Sequence, residues 1–541
     1  MTVGNKKKIA LVFSGAVSLG SFEAGVAHEI VNYIQQNDDP EFEVDVIVGS
    51  SAGALTGALM AMALVWGLDP IIIEEAWLSV KLDDLLRLEK GDRSILSSSR
   101  VEKLIARHIT KPVGRKFLHP SGKSINLVVV VTNLDGIQYK IHRSRSGEFA
   151  VNAIGYEDAM RFKLHPDFED WDRLRSAVRA SSAFPGAFEH KTINRTHREL
   201  RKRTKYRFPT EEPIAFHYSD GGIVNNQPLN KAIEVVNELP VTDSGYNSER
   251  VFLVVDPSPP KAESIGENEY GVFDVVSKAV WTIPRNQTLY KDLLLLEKVN
   301  RRLRWKNSFV SAMADVWNSG RIPAEQVQAL DRLCRDVAVF KGQAMLGLEP
   351  AEYLRVEEER IRNAYFSEVQ KVRNPEIFIK YCFLLEQVAD LRNKHEISVN
   401  MITPQNPGKE LAGVIFGNFG GFLDSGFMKH DFNVGRAYAE RWLKREVNID
   451  RLIQFGQQGI PRHTKRKVFQ GLINNSLPIL IEDIGPRLFT GKGDLPGEVW
   501  GVLTFIKICV ASLARYIVKK SVTWTKEKIL PVGKNSLQNN S

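Results

Sequence analysis

Residues 44–57, VDVIVGSSAGALTG, run from a β-branched apolar stretch through Gly49-Ser50-Ser51-Ala52-Gly53 into small helix-forming residues. The pattern reads as a nucleophile elbow, in which a serine on a sharp strand-to-helix turn exposes its hydroxyl above a sheet. Gly49 and Gly53 would let neighbouring chain approach where a Cβ would clash. Ser51 is the candidate nucleophile, and the helix that follows would turn its positive end toward a developing oxyanion. A GxSxG turn by itself also fits an ordinary glycine and serine turn, so its neighbours decide the matter.

Upstream, IALVFSGAVSLGSFEAGV (9–26) has the form strand, small-residue turn, helix. The backbone N–H groups of Gly15, Ala16 and Val17 could serve as an oxyanion hole beside Ser51. A dinucleotide-binding fingerprint would need glycine at Val17. Downstream, HYSDGGIVNNQPL (217–229) places Asp220 before Gly221 and Gly222, a context that can hold a carboxylate at a tight turn after a strand or be a plain turn.

Around these motifs, the first 260 residues alternate β-rich runs with helical periods, the mark of βαβ units around a mostly parallel sheet. Strands are expected at 8–13, 44–48, 125–131, 137–142 and 250–255, and helices at 20–36, 52–66 and 171–180. After Asp256-Pro-Ser-Pro-Pro260 the character changes to Leu, Arg, Glu and Lys at helical spacing, read as a helical insertion. One β-rich run, ISVNMIT (397–403), could rejoin the sheet edge before helical patterns resume.

At 541 residues the chain has room for several domains, and 43% hydrophobic with 25% charged residues is the composition of a folded protein. Cys334, Cys382 and Cys509 lie far apart, which argues against a disulfide framework or zinc site and for a reducing compartment. No HExxH or EF-hand loop is present, so no metal or cofactor is expected. The apolar run after Lys6–Lys8 breaks at Ser14-Gly15, too early for a secretory signal. The stretch within 497–518 is interrupted by Lys507 and Arg515, which favours a packed or interfacial helix over a span.

Net charge is +9 and points to anionic partners. The densest basic cluster, Lys191–Arg207, reads as a solvated loop or as a patch for anionic lipid headgroups. With few aromatics interleaved and no DNA- or RNA-binding motif, nucleic acid is not an expected partner.

Taken together, the first glycine-containing turn, GxSxG and DGG resemble the patatin-like phospholipases, and Ala180-Ser-Ser-Ala-Phe-Pro-Gly-Ala-Phe188 matches that family's AxSAxPGxF stretch. The likeness covers about residues 8–260. FGNFGGFLDSGFMKHDFNVGRAYAERWL (416–443) looks like the HDFxxGR region of larger bacterial members, which would extend it to about residue 445. The resemblance implies a three-layer α/β/α core and a Ser51–Asp220 dyad acting on lipid acyl esters through an acyl-enzyme, without histidine, cofactor or calcium. An ordinary aspartate, with a pKa near 4, is a weak base for a hydroxyl, so a short direct hydrogen bond and exclusion of water would have to help.

The implied organisation is a catalytic core over 1–262, a helical insertion over 263–395, a returning strand and helix over 396–445, helices over 446–530 and a disordered tail at 531–541. The implied setting is cytoplasmic, with peripheral contact at the inner membrane surface. One departure stands out: the family's GGGxRG turn is here Gly15-Ala16-Val17-Ser18-Leu19-Gly20, lacking two glycines and the arginine. That leaves a catalytically impaired lipid-binding or regulatory protein as an alternative. A Ser-Asp-His α/β-hydrolase using His395 or His430 is another.

Overall fold

The computed structural model describes residues 7–443, apart from 38–39, 91, 93, 113–123, 143–149, 202–211, 240–249, 260–274, 276–277, 279–282, 318–323, 346–348, 390, 392–395 and 415–417. The expected helical region 446–530 and tail 531–541 lie outside the described residues.

Period-two runs of Val, Ile, Leu and Phe with no polar face build a sheet buried on both sides. Strand β1 (Lys7–Phe13) pairs in parallel with β2 (Phe42–Ser50) and with β7 (Arg250–Val255), and β2 pairs in parallel with β3 (Ile125–His142). In β1, Ile9, Leu11 and Phe13 enter one hydrophobic core while Ala10 and Val12 enter the other. The first core is covered by α1 (Gly20–Gln36), α2 (Ala52–Trp66) and α6 (Trp171–Ser181), and the second by α8 (Leu229–Glu238). This is a three-layer α/β/α fold around a mostly parallel sheet.

Each of the expected strands and helices in this region is present. The runs 125–131 and 137–142 are one strand, β3, with a register shift between Thr132 and Ile137. Three strands were not anticipated: β4 (Ala150–Leu164), β5 (Lys191–Arg195) and β6 (Ile214–Ser219), antiparallel additions in which β4 and β6 pair with β3 and β5 pairs with β6. Their mixed polar sequences disguise them, and β5 lies inside the basic cluster. Arg195 is buried there, its guanidinium on Asp158 at 2.9 Å and on Glu199 at 3.0 Å. It therefore belongs to the interior and not to a headgroup-binding patch, and Lys191 pairs with Glu102 at 2.8 Å.

The run 397–403 does rejoin the sheet, as β8 (Ser398–Ile402) in parallel beside β7. The final described helix, α15 (Ser425–Trp442), then crosses α1 at very close range. A Cβ at Gly25 would lie 1.9 Å from the Phe432 carbonyl oxygen, and one at Gly435 would lie 2.0 Å from that of Phe22, so both helices need glycine at the crossing. The HDFxxGR residues fix this helix both to α1 and to the segment at 410–413. His430 bonds the Glu410 carbonyl at 2.7 Å, Asp431 accepts the N–H groups of Ala412 and Gly413, and Arg436 reaches Glu29 at 3.1 Å.

Between β7 and β8 stand α9 (Ile283–Trp317), α10 (Ala324–Met345), α11 (Pro350–Ala364), α12 (Phe366–Val369) and α13 (Pro375–Val388). They bury a core of their own, with Val310, Cys334, Ile361, Phe378 and Phe383 among its members. Beside it Glu386 accepts Arg360 at 2.6 Å, Lys306 at 3.1 Å and the Tyr365 hydroxyl at 2.7 Å. Burial would raise the Glu386 pKa, but the two cations outweigh it and hold the carboxyl below its ordinary value. The start of α9 belongs elsewhere: Leu289 packs into the core formed by Val46, Val254 and Leu229.

Candidate active site

The C-terminal ends of β1 and β2 and the middle of β3, at Val130 to Thr132, meet at the edge of the parallel sheet where open α/β folds place their sites. Ser51 follows β2 with φ 53° and ψ −120° and stands at the N-terminus of α2. That backbone is sparsely populated for a residue with a Cβ, so the neighbours must hold it. Close packing does so. A Cβ at Gly53 would lie 2.5 Å from the Phe13 carbonyl oxygen, and one at Gly49 would lie 2.3 Å from that of Gly53.

The Ser181 side chain completes the hold. Its Oγ accepts the Ser51 N–H at 2.8 Å and donates to the Val130 carbonyl at 2.6 Å. The same segment reaches the acid: the Ala183 carbonyl accepts the Asp220 N–H at 3.1 Å and the Ser219 hydroxyl at 2.8 Å. The ASSAFPGAF stretch thus crosslinks the serine turn to the aspartate turn, a role the sequence had not disclosed.

Asp220 ends β6. Its Oδ1 accepts the Gly222 N–H at 2.8 Å, and the Thr132 hydroxyl donates to its backbone carbonyl at 2.7 Å. Gly221 is needed because a Cβ there would lie 2.3 Å from the Val130 carbonyl oxygen. With Oδ1 turned to its own loop, Oδ2 faces the serine, and Ser51 Oγ donates to it at 2.5 Å. The two side chains are 7% and 4% exposed, so water competes little for this contact. No imidazole stands between them. His430 is engaged with Glu410, and His395 lies outside the described residues.

The first turn departs from expectation in one respect. The Gly15 N–H donates to the Asn226 carbonyl at 3.0 Å and is therefore spent inside the fold instead of facing an oxyanion. Among the described residues the N–H groups of Ala16 and Val17 have no protein acceptor. Val17 adopts φ 54° despite its branched side chain. The turn is held from outside by Ser18, whose Oγ donates to the Asn418 carbonyl and accepts the Gly421 N–H at 2.9 Å.

Asn226 is a second residue that sequence reading passed over. Its side chain wedges between the first turn and the acid turn: Cβ atoms added at Gly15 and Gly222 would lie 2.3 and 2.7 Å from its Oδ1. Its Nδ2 is buried with no hydrogen-bond partner among the described residues, and the NN pair that follows DGG was the available signal. Among the described residues no group of three or more His, Cys, Asp or Glu side chains is placed to hold a metal ion.

The family model for patatin-like phospholipases matches residues 11–233. An uncharacterized protein, y4iI, from Sinorhizobium fredii is 23% identical over 405 residues, a match that takes in 55% of this chain. The chain spans about half the length, 56%, of that relative. Among solved structures, VipD from Legionella pneumophila aligns over 91% of this chain and 81% of its own, at 10% identity and a TM-score of 0.27. Residues 11–233, which carry both turns and all three sheet-edge motifs, form a domain of the patatin-like phospholipase family.

Proposed function

We propose that the protein is a serine-dependent lipid acyl hydrolase with Ser51 as nucleophile and Asp220 as its base. The observation that carries this reading is the direct 2.5 Å hydrogen bond between Ser51 Oγ and Asp220 Oδ2, two buried residues. Ser51 attacks the ester carbonyl of an acyl lipid while its proton passes to Asp220. The developing oxyanion lies at the N-terminus of α2, with the N–H groups of Ala16 and Val17 as donors and Gly15 serving to shape the turn. Asp220 returns the proton to the departing alcohol oxygen. It then takes a proton from the water that attacks the acyl-enzyme and passes it to Ser51 Oγ as the acyl–oxygen bond breaks, which releases the fatty acid and restores both groups.

Low dielectric around the dyad favours the short hydrogen bond and makes up for the weak basicity of a carboxylate. Nothing in this sequence of steps requires a histidine. A fluorophosphonate probe should label the wild-type chain at Ser51, and Ser51→Ala should abolish the label. Mass spectrometry of a lipid extract incubated with the protein should show free fatty acids with the wild type alone. Labelling at another serine would refute the assignment.

The non-glycine first turn supports a second reading, a lipid-binding protein with an impaired site. It predicts lipid binding with neither probe labelling nor acyl release.

A further inference from the structure

The long helix α9 carries an exposed stripe that the chemistry at Ser51 does not use. Ile283, Tyr290, Leu294, Lys298, Arg301 and Trp305 recur at steps of three, four and seven residues and so share one side of the helix. All six are solvent-exposed, the large apolar ones 46% to 58%, and it is their contiguity along one face that is informative. Lys291, Leu295 and Arg302 flank them, also exposed. The opposite side, with Leu289, Leu303 and Val310, is buried against the protein. The stripe from Ile283 to Trp305 is about 33 Å long at the rise of an α-helix.

Its charge is one-sided. Lys291, Lys298, Arg301 and Arg302 form no ion pair with a described residue, whereas Arg304, off the stripe, pairs with Glu396 at 3.4 Å. Glu297 is the acid that borders the stripe. Aromatic and leucine tips among unpaired cations are what an anionic lipid surface accommodates, with the tips entering the headgroup boundary and the cations meeting phosphates.

Position ties the stripe to the site. Thr288 Oγ1 donates to the Val224 carbonyl at 2.9 Å, and Asp292 accepts the Asn230 N–H at 3.2 Å, so the first part of α9 is seated on the segment that continues from Asp220.

We propose that this face of α9 docks the protein on an anionic bilayer and so brings the Ser51 site to its lipid. The proposal rests on the lipid-hydrolase reading for its purpose, though not for its physics. It places a membrane contact in the helical region; in the Lys191–Arg207 cluster Arg195 is buried, and residues 202–207 lie outside the described residues.

The test uses the full chain carrying Ser51→Ala, which cannot turn over, in sedimentation with vesicles of phosphatidylcholine alone or mixed with phosphatidylglycerol. Binding should be tighter to the anionic vesicles. Lys298→Gln, Arg301→Gln and Arg302→Gln together should weaken it roughly 100-fold, at about fivefold per basic residue. Leu294→Ser with Trp305→Ser should weaken binding to both vesicle types. In otherwise wild-type protein the same changes should leave turnover of a soluble short-chain ester unaltered, which excludes misfolding as the cause. Unchanged vesicle binding by the charge variant would overturn the proposal. So would a shift from dimer to monomer on Leu294→Ser and Trp305→Ser with vesicle binding intact, which would make the face a contact between copies. Binding that behaves as expected alongside a wild type inert toward every ester would leave the docking face standing and remove the hydrolase reading.

Discussion

Val17 and Ser51 follow adjacent parallel strands with nearly the same backbone φ, 54° and 53°, yet the two turns are held in opposite ways. The serine turn is held from within: Gly49 and Gly53 permit carbonyl contacts that no side chain would allow, and Ser181 takes the Ser51 N–H. The first turn has no glycine at its left-handed position and is held by residues 400 positions away, through Ser18 to Asn418 and Gly421. Asn418 itself has φ 73°. Thus the three non-glycine residues with positive φ among those described stand at the site or against it. Such backbone persists only where its surroundings over-determine it. The elbow's shape is therefore local, while that of the first turn is tertiary.

The largest effect should come from the reacting groups. Ser51→Ala and Asp220→Asn should each lower kcat/KM for an acyl ester by roughly 10³-fold or more with an unchanged fold, measured by steady-state kinetics and circular dichroism. Combining them should cost little more than either alone, because they act as a unit. Retained activity in either variant would break the dyad assignment.

The support of the serine turn should show next. Ser181→Ala leaves the buried Ser51 N–H and weakens the hold on the Val130 carbonyl, at a cost of roughly 1–3 kcal/mol in urea unfolding. Its activity should fall by more than its stability accounts for, since Ser51 would no longer be fixed at φ 53°. A loss of stability with turnover intact would mean that Ser181 only packs.

How much of this was legible follows the same divide. Ser51, Asp220 and the parallel strands could be read because the residues that force them are close together in sequence: β-branched runs for strands, glycines for close approach. The loss of the Gly15 N–H to the fold was not legible because its acceptor, the Asn226 carbonyl, lies far away in sequence, in the turn that follows Asp220. Strand β5 was hidden because Arg195 reads as surface charge, and its pairing with Asp158 and Glu199, distant or unremarkable in sequence, is what offsets its burial. Ser18, the residue that anchors the first turn, carries no local signal at all.

The outside hold should also be sensitive to pH. Asp431, wholly buried, accepts the Ala412 and Gly413 N–H groups beside the Ser18 contact, and burial pushes its pKa up to about 7 despite those bonds. Between its ordinary pKa near 4 and about 7 the folded state holds a proton that the unfolded state has lost, so its contribution to stability declines as pH rises through that window. Neighbouring His430, its pKa lowered by burial, acts in the other direction: it stays neutral when folded, and stability falls as pH drops below its unfolded value. Comparing urea unfolding of wild type and Asp431→Asn at pH 5 and pH 8 isolates the aspartate. Wild type should favour pH 5 by at least about 1 kcal/mol relative to the variant, within the ~1.4 kcal/mol available per pKa unit. Equal pH dependence would remove Asp431 from the hold.

The smallest expected effect is the most informative about the two turns. If surroundings impose φ 54° on Val17, then Val17→Gly relieves roughly 1–2 kcal/mol of left-handed strain. It also admits more unfolded conformations, which costs about 1 kcal/mol. The two nearly cancel, so stability should stay within about 1 kcal/mol of wild type. The N–H at position 17 is kept by glycine, so turnover of a soluble ester should change by less than about threefold if that group is the oxyanion donor. Val17→Pro is the counterpart, because proline lacks the N–H and cannot reach positive φ. It should cost roughly 10²-fold or more in kcat. A large loss with glycine would instead place the valine side chain against the substrate. The first turn would then differ from the serine turn in what it contacts, and not only in how its backbone is held.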